Sequence, residues 1–232
     1  MEIASMILHT IFDLLASILA FQAIRLTQIW RPPPTTPAAF RPAYAVALVS
    51  GAVVGADGLG TANLMLSHVA GIGRSILGAL FGAIVAIELY KHLTGISGST
   101  GAIFVPGFAI AVIVGRIGCF LAGLPDNTYG TPTSLPWGYD FGDGIPRHPV
   151  QLYESALMAL FLFCALTAMA RRTPFYAANA FYLMAGFYAV ERFGLEFLKP
   201  YAPLIGPFNL FHLSCAALFA YAVLMIQRTK DV

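Results

Sequence analysis

Seven apolar segments, each about 17–25 residues long, divide this chain of 232 residues. A helix needs about 20 mostly apolar residues to cross the hydrocarbon core of a bilayer. Only 10% of the residues are charged, whereas soluble domains usually have about 25%. We therefore predict an all-α polytopic membrane protein with about seven transmembrane helices, forming one domain over residues 1–232. The segments lie at about 4–24, 43–67, 75–91, 102–122, 151–170, 176–198 and 208–226.

The distribution of lysine and arginine predicts the orientation, because cytoplasmic loops are enriched in these residues. Eight of them lie in the loops on one side of the membrane: Arg25, Arg31, Arg41, Lys91, Arg171, Arg172, Arg228 and Lys230. Three lie on the other side: Arg74, Arg147 and Lys199. This bias predicts an outside N-terminus, a cytoplasmic C-terminus and an external loop at 123–150.

Several connecting and terminal features narrow the class of protein further. The proline-rich stretch RPPPTTPAAFRP should form a stiff connection between the first two spans. The N-terminal segment lacks a basic region and a small-residue cleavage site, so we interpret it as a span. The net charge of +2 is too small to suggest a nucleic-acid partner. The expected surroundings are the lipid bilayer.

The three cysteines do not suggest a metal or disulfide framework. Cys119, Cys164 and Cys215 each lie in an apolar run without motif spacing, which argues against a disulfide framework and a zinc site. We predict neither a metal nor a cofactor. His9, His68, His92 and His212 are scattered along the chain, and we assign them packing or interface roles.

Charged residues inside three different spans should meet in the outer half of the bilayer. Ionisable groups are costly in hydrocarbon and usually face a protein interior or an aqueous cavity. The predicted topology brings Arg116 of the fourth span to the level of Glu154 in the fifth. Arg192 and Glu196 of the sixth span are four residues apart, on one helix face, and lie at the same level.

This cluster has the composition of an anionic-lipid site. Guanidinium groups bind phosphate bidentately, and Arg147 and Lys199 would add positive charge at headgroup depth. Glu154 and Glu196 would hold the arginines in place. A purely structural interpretation is also open, in which Arg192 pairs with Glu196 and Arg116 locks helices together through Glu154.

Four sequence blocks resemble the prolipoprotein diacylglyceryl transferase family. They are GRIGCFLAG (115–123), YGTPTSLPWG (129–138), RHPVQLYE (147–154) and ERFGLEFLKP (191–200). The blocks occur in the family's order and at similar spacing. SILGALFG (75–82) is a weaker counterpart of the family's His-Gly-Gly-Leu region.

The resemblance implies a seven-span enzyme of the bacterial inner membrane whose site opens toward the periplasm. Members of the family transfer the diacylglyceryl group of phosphatidylglycerol to the thiol of a lipobox cysteine in a preprolipoprotein signal peptide. A thioether forms and glycerol phosphate leaves. Such chemistry needs preorganised positive charge at the leaving phosphate and a means of ionising the thiol.

The resemblance also implies a set of candidate site residues. Arg116, Arg192, Glu154, Glu196 and His148 are the candidate catalytic residues, with His148 for acid–base chemistry. The candidate substrate-binding residues are Arg147, Gln151, Tyr153, Gly130, Lys199 and Cys119. Lys199 stands where the family usually has arginine.

The chain departs from the family pattern at four polar positions. The family's histidine falls at Leu77 and its asparagine at Cys119. Its loop glutamate falls at Leu124, and an early tyrosine falls at Phe12. Two interpretations follow: a lipoprotein-modifying enzyme in which His148, Glu154 or Asp126 handles the proton, or a paralogue that uses another acceptor or only binds lipid. A covalent role for Cys119 is a further possibility, beside a simple packing role.

Two interpretations from other classes remain open at this stage. Intramembrane charges and glycine-interrupted spans also occur in small-solute transporters. The gathering of the charges at one depth and the lack of a visible inverted repeat weigh against transport. The other interpretation is a membrane scaffold without catalytic activity.

Overall fold

Seven long helices account for most of the chain. A computed structural model describes residues 2–31, 41–69 and 71–229. The proline-rich residues 32–40 and Lys230 lie outside the described residues. The helices are α1 (Glu2–Trp30), α2 (Pro42–Leu66), α3 (Ile76–Thr94), α4 (Val105–Ala122), α5 (Val150–Ala170), α6 (Pro174–Glu196) and α7 (Leu210–Arg228).

The described residues contain six helices that are long and apolar enough to cross a membrane. The seventh long helix, α6, has sufficient length but is less apolar, since it includes Asn179, Glu191 and Arg192. It packs against both α5 and α7. The prediction of an all-α polytopic membrane protein with about seven helices is confirmed.

Helix boundaries follow from local sequence signals. Proline occupies the first turn of α2, α4 and α6, where the missing N–H costs no hydrogen bond. Ser75 caps α3 by accepting a hydrogen bond from the Gly78 amide. Gly95 ends α3 in the left-handed conformation, with φ of 69°.

Glycines bring α2 and α3 into backbone contact. A Cβ on Gly55 would lie 2.2 Å from the carbonyl oxygen of Gly78, and one on Gly82 would lie 2.2 Å from the carbonyl oxygen of Gly51. Such small-residue contacts allow the close approach that helps helices associate in lipid.

Glycines also allow the antiparallel helices α1 and α4 to pack closely. A Cβ on Gly118 would meet Phe12 Cβ at 2.4 Å, and one on Gly107 would meet Ile24 Cδ1 at 2.7 Å. These two contacts, one near each end of the pair, set the register of α1 against α4. The N-terminal end of α1 therefore lies beside the C-terminal end of α4.

The middle of the bundle is filled with apolar side chains. Leu77, Val105, Ala109 and Met158 are completely buried in one cluster, together with residues of α6 and α7. Many large apolar residues of α1 and α2 are exposed instead. Their exposure fits helices whose outer faces meet lipid.

Three connections meet at one end of the bundle, here called the site end. Tyr201, after α6, donates a hydrogen bond of 3.0 Å to the carbonyl oxygen of Asn127, after α4. The amide of Ala202 donates to Ser67 Oγ, at the end of α2. A two-stranded antiparallel hairpin, β1 (Tyr139–Asp140) and β2 (Pro146–Arg147), folds within the α4–α5 connection.

Replacing Gly55 with alanine should weaken the protein, because the added methyl group would overlap backbone atoms of α3. We expect the free energy of unfolding to fall by about 1–3 kcal/mol, the usual cost of overpacking. Unfolding of the purified protein in mixed micelles with rising SDS would measure the change. Gly58 lies on the same helix with open space around its Cα, so Gly58→Ala is the matched control and should not destabilise. Equal stability of the two variants would contradict this account of the α2–α3 contact.

Candidate active site

The carboxylate of Glu154 lies at the centre of a buried charged cluster at the site end. It pairs with Arg116 of α4 through Oε2 and with Arg192 of α6 through Oε1. Lys199, just after α6, places its Nζ 2.7 Å from the same Oε1. One carboxylate thus joins three cations from three segments of the chain.

A second carboxylate fixes the other side of Arg192. The Nη2 of Arg192 lies 3.0 Å from Glu196 Oε2, one turn further along α6. Asn209 donates a hydrogen bond of 3.0 Å to Glu196 Oε1. Asn209 also caps α7, in a reciprocal pair with His212. The end of α6 and the start of α7 are therefore tied together at the cluster.

The cluster is almost completely withdrawn from the surface. Arg116, Arg192 and Lys199 are 8%, 3% and 4% exposed, and Glu154 is 1% exposed. Burial on this scale makes each charge costly unless it is paired. The five charged groups comprise three cations and two carboxylates, so the pairing leaves one positive charge in excess.

Several buried polar atoms around the cluster have no hydrogen-bond partner within the described part of the chain. They include Gln151 Oε1, Tyr188 Oη, Arg192 Nε and both carboxylate oxygens of Glu191. Buried polar groups in proteins are normally paired with protein, water or ligand. These atoms therefore supply hydrogen-bonding capacity for a polar ligand.

Burial and neighbouring charges shift the pKa values of Lys199 and Asp126, which lie in the connections at the site end. Burial lowers the pKa of Lys199 to about 8. The positive charge of Arg192 also lowers this pKa, whereas the negative charge of Glu154 raises it. Burial alone would raise the pKa of Asp126, but hydrogen bonds from His9 and Thr128 outweigh it and hold the pKa below its usual range. At neutral pH Lys199 remains mostly charged and Asp126 is a carboxylate.

A separate group of residues occupies the α4–α5 connection. Arg147 pairs with Asp143 at 2.6 Å, and its guanidinium lies 5.1 Å from the ring centre of Tyr129. The hydrogen bond from Arg147 lowers the pKa of Asp143. Gly130 packs against the backbone of His148, where a Cβ would lie 2.4 Å from the carbonyl oxygen. Gly130 is therefore required by close packing.

His148 belongs to this loop group. Its Nδ1 lies 3.4 Å from the hydroxyl of Tyr153, which also accepts a 2.8 Å hydrogen bond from the indole of Trp137. Gln151 reaches toward the connection as well, with Nε2 3.4 Å from Thr128 Oγ1. The site end therefore contains two groups of residues. One is the buried charged cluster, and the other is a partly exposed group at the α4–α5 connection that includes His148.

The structure thus separates the sequence-predicted residues into two sets. Arg116, Glu154, Arg192, Glu196 and Lys199 come together as one network. Arg147, His148, Tyr153 and Gly130 form the loop group, which makes no direct ion pair with that network among the described residues. Leu77, which the sequence resemblance aligns with the family's histidine, is 0% exposed and belongs to the apolar core.

His9 is the site residue that sequence reasoning missed. Its Nε2 lies 3.0 Å from Asp126 Oδ1 and 3.8 Å from Cys119 Sγ, and Cys119 is in turn 4.0 Å from Arg116 Nη1. His9 and Cys119 are 110 residues apart, so no local pattern links them. The only signal in the sequence is Asp13, one helical turn after His9, which pairs with its Nδ1 at 3.0 Å.

The arrangement can bind an anionic group and stabilise negative charge that develops on it. Two guanidinium groups and one ammonium group are preorganised by carboxylates, so little reorganisation is needed when an anion arrives. The planar forks of Arg116 and Arg192 match the geometry of phosphate oxygens.

Comparison with known proteins gives a consistent result. A family model described as prolipoprotein diacylglyceryl transferase matches residues 41–228. A phosphatidylglycerol–prolipoprotein diacylglyceryl transferase of Nitratidesulfovibrio vulgaris strain Miyazaki F is 34% identical over 142 residues, covering 58% of this chain and 50% of the relative. Proteins of the same name from Methylococcus capsulatus and Geobacter sulfurreducens are 37% and 36% identical, over 55% and 66% of this chain and 48% and 60% of their own lengths.

The chain spans about half the length of the curated relatives it matches. The family model, however, covers every helix from α2 to α7, including all members of the network around Glu154. On this match the chain belongs to the prolipoprotein diacylglyceryl transferase family.

Proposed function

We propose that the protein transfers the diacylglyceryl group of phosphatidylglycerol to the cysteine thiol of a lipobox in a preprolipoprotein signal peptide. The observation that carries this proposal is the buried network in which Glu154 holds Arg116, Arg192 and Lys199 together. The relatives named above carry this activity in their names. A phosphodiester headgroup is an anion of the size and charge that such a cluster would bind.

Arg116 and Arg192 would contact the phosphate and stabilise the charge on the departing glycerol phosphate. Glu154 and Glu196 would orient the two guanidinium groups, while Lys199 adds charge beside them. Gln151 and Tyr153 would contact the lipid headgroup from the start of α5. Gly130 would allow the connection to pack closely above the site, where Arg147 faces incoming substrate.

Proton handling would fall to a group near the acceptor. Glu154 already pairs with three cations, so it is committed to the network. His148 and Asp126 remain as the candidates for accepting the thiol proton, as general bases within reach of a peptide on the loop side. Both residues lie in the α4–α5 connection or at its ends.

The whole chain would form one transmembrane domain of the bacterial inner membrane, with the site end toward the periplasm. The excess of lysine and arginine in the opposite set of loops, eight against three, supports an outside N-terminus and a cytoplasmic C-terminus. The segment 123–150 would then be external and form the upper wall of the site. Lateral access from the outer leaflet would deliver phosphatidylglycerol directly to headgroup depth.

Transport of small solutes is a weaker explanation of the buried charges. The network lies at one end of the bundle, and the described centre is packed with apolar residues such as Val105, Met158 and Met184. A permeation pathway would need polar groups through the full thickness of the membrane.

A paralogue that uses another acceptor is the second candidate, and one observation favours it. Leu77 stands at the position of the family's histidine and is fully buried in the apolar core. If the protein modifies lipoproteins, expressing it in cells depleted of their own transferase should restore lipoprotein maturation, measured by the mobility shift of a reporter lipoprotein. Lack of rescue by a correctly inserted, folded protein would favour the paralogue.

Replacing Arg192 with alanine should lower lipid transfer by at least about 100-fold, the usual scale for removing one preorganised donor to developing charge. Glu154 would keep Arg116 and Lys199, and Glu196 would keep Asn209, so the fold should persist. Transfer of labelled diacylglyceryl from phosphatidylglycerol to a lipobox peptide measures the effect.

Arg74→Ala is the matched control, because Arg74 lies at the same end of the bundle but its side chain is 83% exposed and pairs with Asp57 outside the network. We expect near-normal transfer from this variant. Undiminished transfer by Arg192→Ala would contradict the role given to the guanidinium group.

The affinity for phosphatidylglycerol should fall as the pH rises through about 8. Lys199 is positively charged below its pKa of about 8 and neutral above it, so the site loses one positive charge at higher pH. The apparent KM for phosphatidylglycerol, measured at saturating acceptor peptide between pH 6.5 and 9.5, should therefore rise in the wild type. Lys199→Arg keeps its charge throughout this range and should show a flat KM. The same rise in both proteins would exclude Lys199 as its origin.

A further inference from the structure

Three potential metal ligands of different chemistry converge beside the charged network. They come from the start of α1 (His9), the last turn of α4 (Cys119) and the 3-10 turn that follows α4 (Asp126). The imidazole nitrogen, the thiol sulfur and the carboxylate oxygen all lie within 4.8 Å of one another. The tight contact of Phe12 with Gly118 fixes α1 against α4 at this level, so the convergence is built into the helix packing.

The separations fit tetrahedral coordination. With zinc bond lengths of about 2.0–2.1 Å to nitrogen and oxygen and about 2.3 Å to sulfur, ligand atoms should be about 3.4 Å (N to O) and 3.6 Å (N to S) apart. The corresponding distances from His9 Nε2 are 3.0 Å to Asp126 Oδ1 and 3.8 Å to Cys119 Sγ. These two distances differ from the tetrahedral values by a few tenths of an ångström, and Cys119 Sγ and Asp126 lie within 4.8 Å of each other.

The surroundings of the three ligands also match those of metal sites. A metal-binding histidine usually donates its other ring N–H to a carboxylate, and Asp13 Oδ2 lies 3.0 Å from His9 Nδ1. Ligating carboxylates are themselves hydrogen-bonded, and the hydroxyl of Thr128 donates to Asp126 Oδ2. Asp13 and Thr128 are therefore outer-sphere partners of His9 and Asp126. They leave His9 Nε2 and Asp126 Oδ1 as the ligand atoms.

We propose that His9, Cys119 and Asp126 bind a zinc ion whose fourth position receives the acceptor thiol. Nitrogen, sulfur and oxygen ligands together suit this borderline-soft ion, and three protein ligands with an open position are typical of catalytic zinc. The three ligands lie next to the proposed phosphate site, because Arg116 Nη1 is 4.0 Å from Cys119 Sγ.

The role of the ion rests on the proposed transferase function. A thiol that coordinates zinc is bound as the thiolate, and its proton is released to solvent. With the ion in place, Asp126 therefore acts as a ligand and not as the base. The thiolate sulfur would attack the glyceryl carbon that carries the phosphate ester. A C–S bond forms while the C–O bond breaks, and glycerol phosphate leaves with the bonding electron pair toward Arg116 and Arg192. The thioether product carries no charge on sulfur and is a weaker ligand, so it can be released.

Cobalt substitution tests the site without depending on catalysis. The full-length protein, purified in detergent and treated with a chelator, should bind one Co²⁺ and develop a thiolate-to-cobalt charge-transfer band in the near ultraviolet. Tetrahedral Co²⁺ should also give absorption in the visible range. His9→Gln, Cys119→Ser and Asp126→Asn should each lose one Co²⁺ ligand, and Cys119→Ser should lose the charge-transfer band completely.

Two further variants sharpen this test. Cys164→Ser removes an exposed cysteine of α5 and should leave the cobalt spectrum unchanged. Asp13→Asn removes only the outer partner of His9 and should weaken Co²⁺ affinity by about 10–100-fold. Thermal unfolding of each apo variant controls for loss of fold. Identical Co²⁺ binding by wild type and Cys119→Ser, or no Co²⁺ binding by the folded wild type, would overturn the proposal; in the latter case His9 is an imidazolium between Asp13 and Asp126.

Transfer assays separate this inference from the proposed function. Transfer that is lost on chelation and restored by Zn²⁺ supports both. Full transfer by the metal-free protein would overturn the zinc site while leaving the transferase function in place. Stoichiometric Co²⁺ binding with the expected spectrum but no transfer to any lipobox peptide would keep the metal site and remove the function assigned to it.

Discussion

The carboxylate of Glu154 is the group on which the site depends. It is buried in an otherwise apolar bundle, and three cations from α4, from α6 and from the segment after α6 converge on it. Removing one member of such a buried pair typically costs about 3–5 kcal/mol, because the partner is left without compensation. The contact that positions Arg116 and Arg192 is therefore also a contact that holds the helices together. Site geometry and helix association cannot vary independently here.

Glycine contacts supply the second constraint. In lipid the hydrophobic effect does not drive helices together, so close backbone packing has to do so. The α2–α3 contacts at Gly55 and Gly82 and the α1–α4 contacts at Gly107 and Gly118 leave almost no freedom to slide. Because α4 carries both Arg116 and Cys119, the register of α1 against α4 decides what faces the cluster. His9 reaches Cys119 only in this register.

The sequence predicted the helices and the charged network because both depend on local information. Apolar length identifies a span, and the depth of a charge along that span follows from counting residues. Arg192 with Glu196 is visible as a four-residue spacing, and the meeting of three spans follows once their directions are assigned. The location of Leu77 in the core agrees with its apolar character.

The group around His9 could not be predicted in the same way. Its formation requires that the first helix pack against the fourth, and helix pairing in a bundle leaves no periodic signal in a single sequence. Cysteine spacing was likewise uninformative, since the three potential ligands come from separate elements and include only one cysteine. His148 shows the converse case: Glu154, six residues after it, belongs to the network, yet the ring of His148 lies beside Tyr153 in the loop group. Its position in the sequence therefore predicted that His148 lies near the network, but not which residues its side chain contacts.

Three of the positions at which the sequence resemblance predicts a departure from the family pattern lie near the three potential metal ligands. Phe12 packs against Gly118, Cys119 is one of the three potential ligands, and Leu124 begins the 3-10 turn that ends at Asp126. Phe12 therefore lies beside the turn of α4 that carries Cys119, and Leu124 lies in the turn that carries Asp126. Under the zinc proposal these departures would be linked, because the new ligands and the residues packed against them would have to change together.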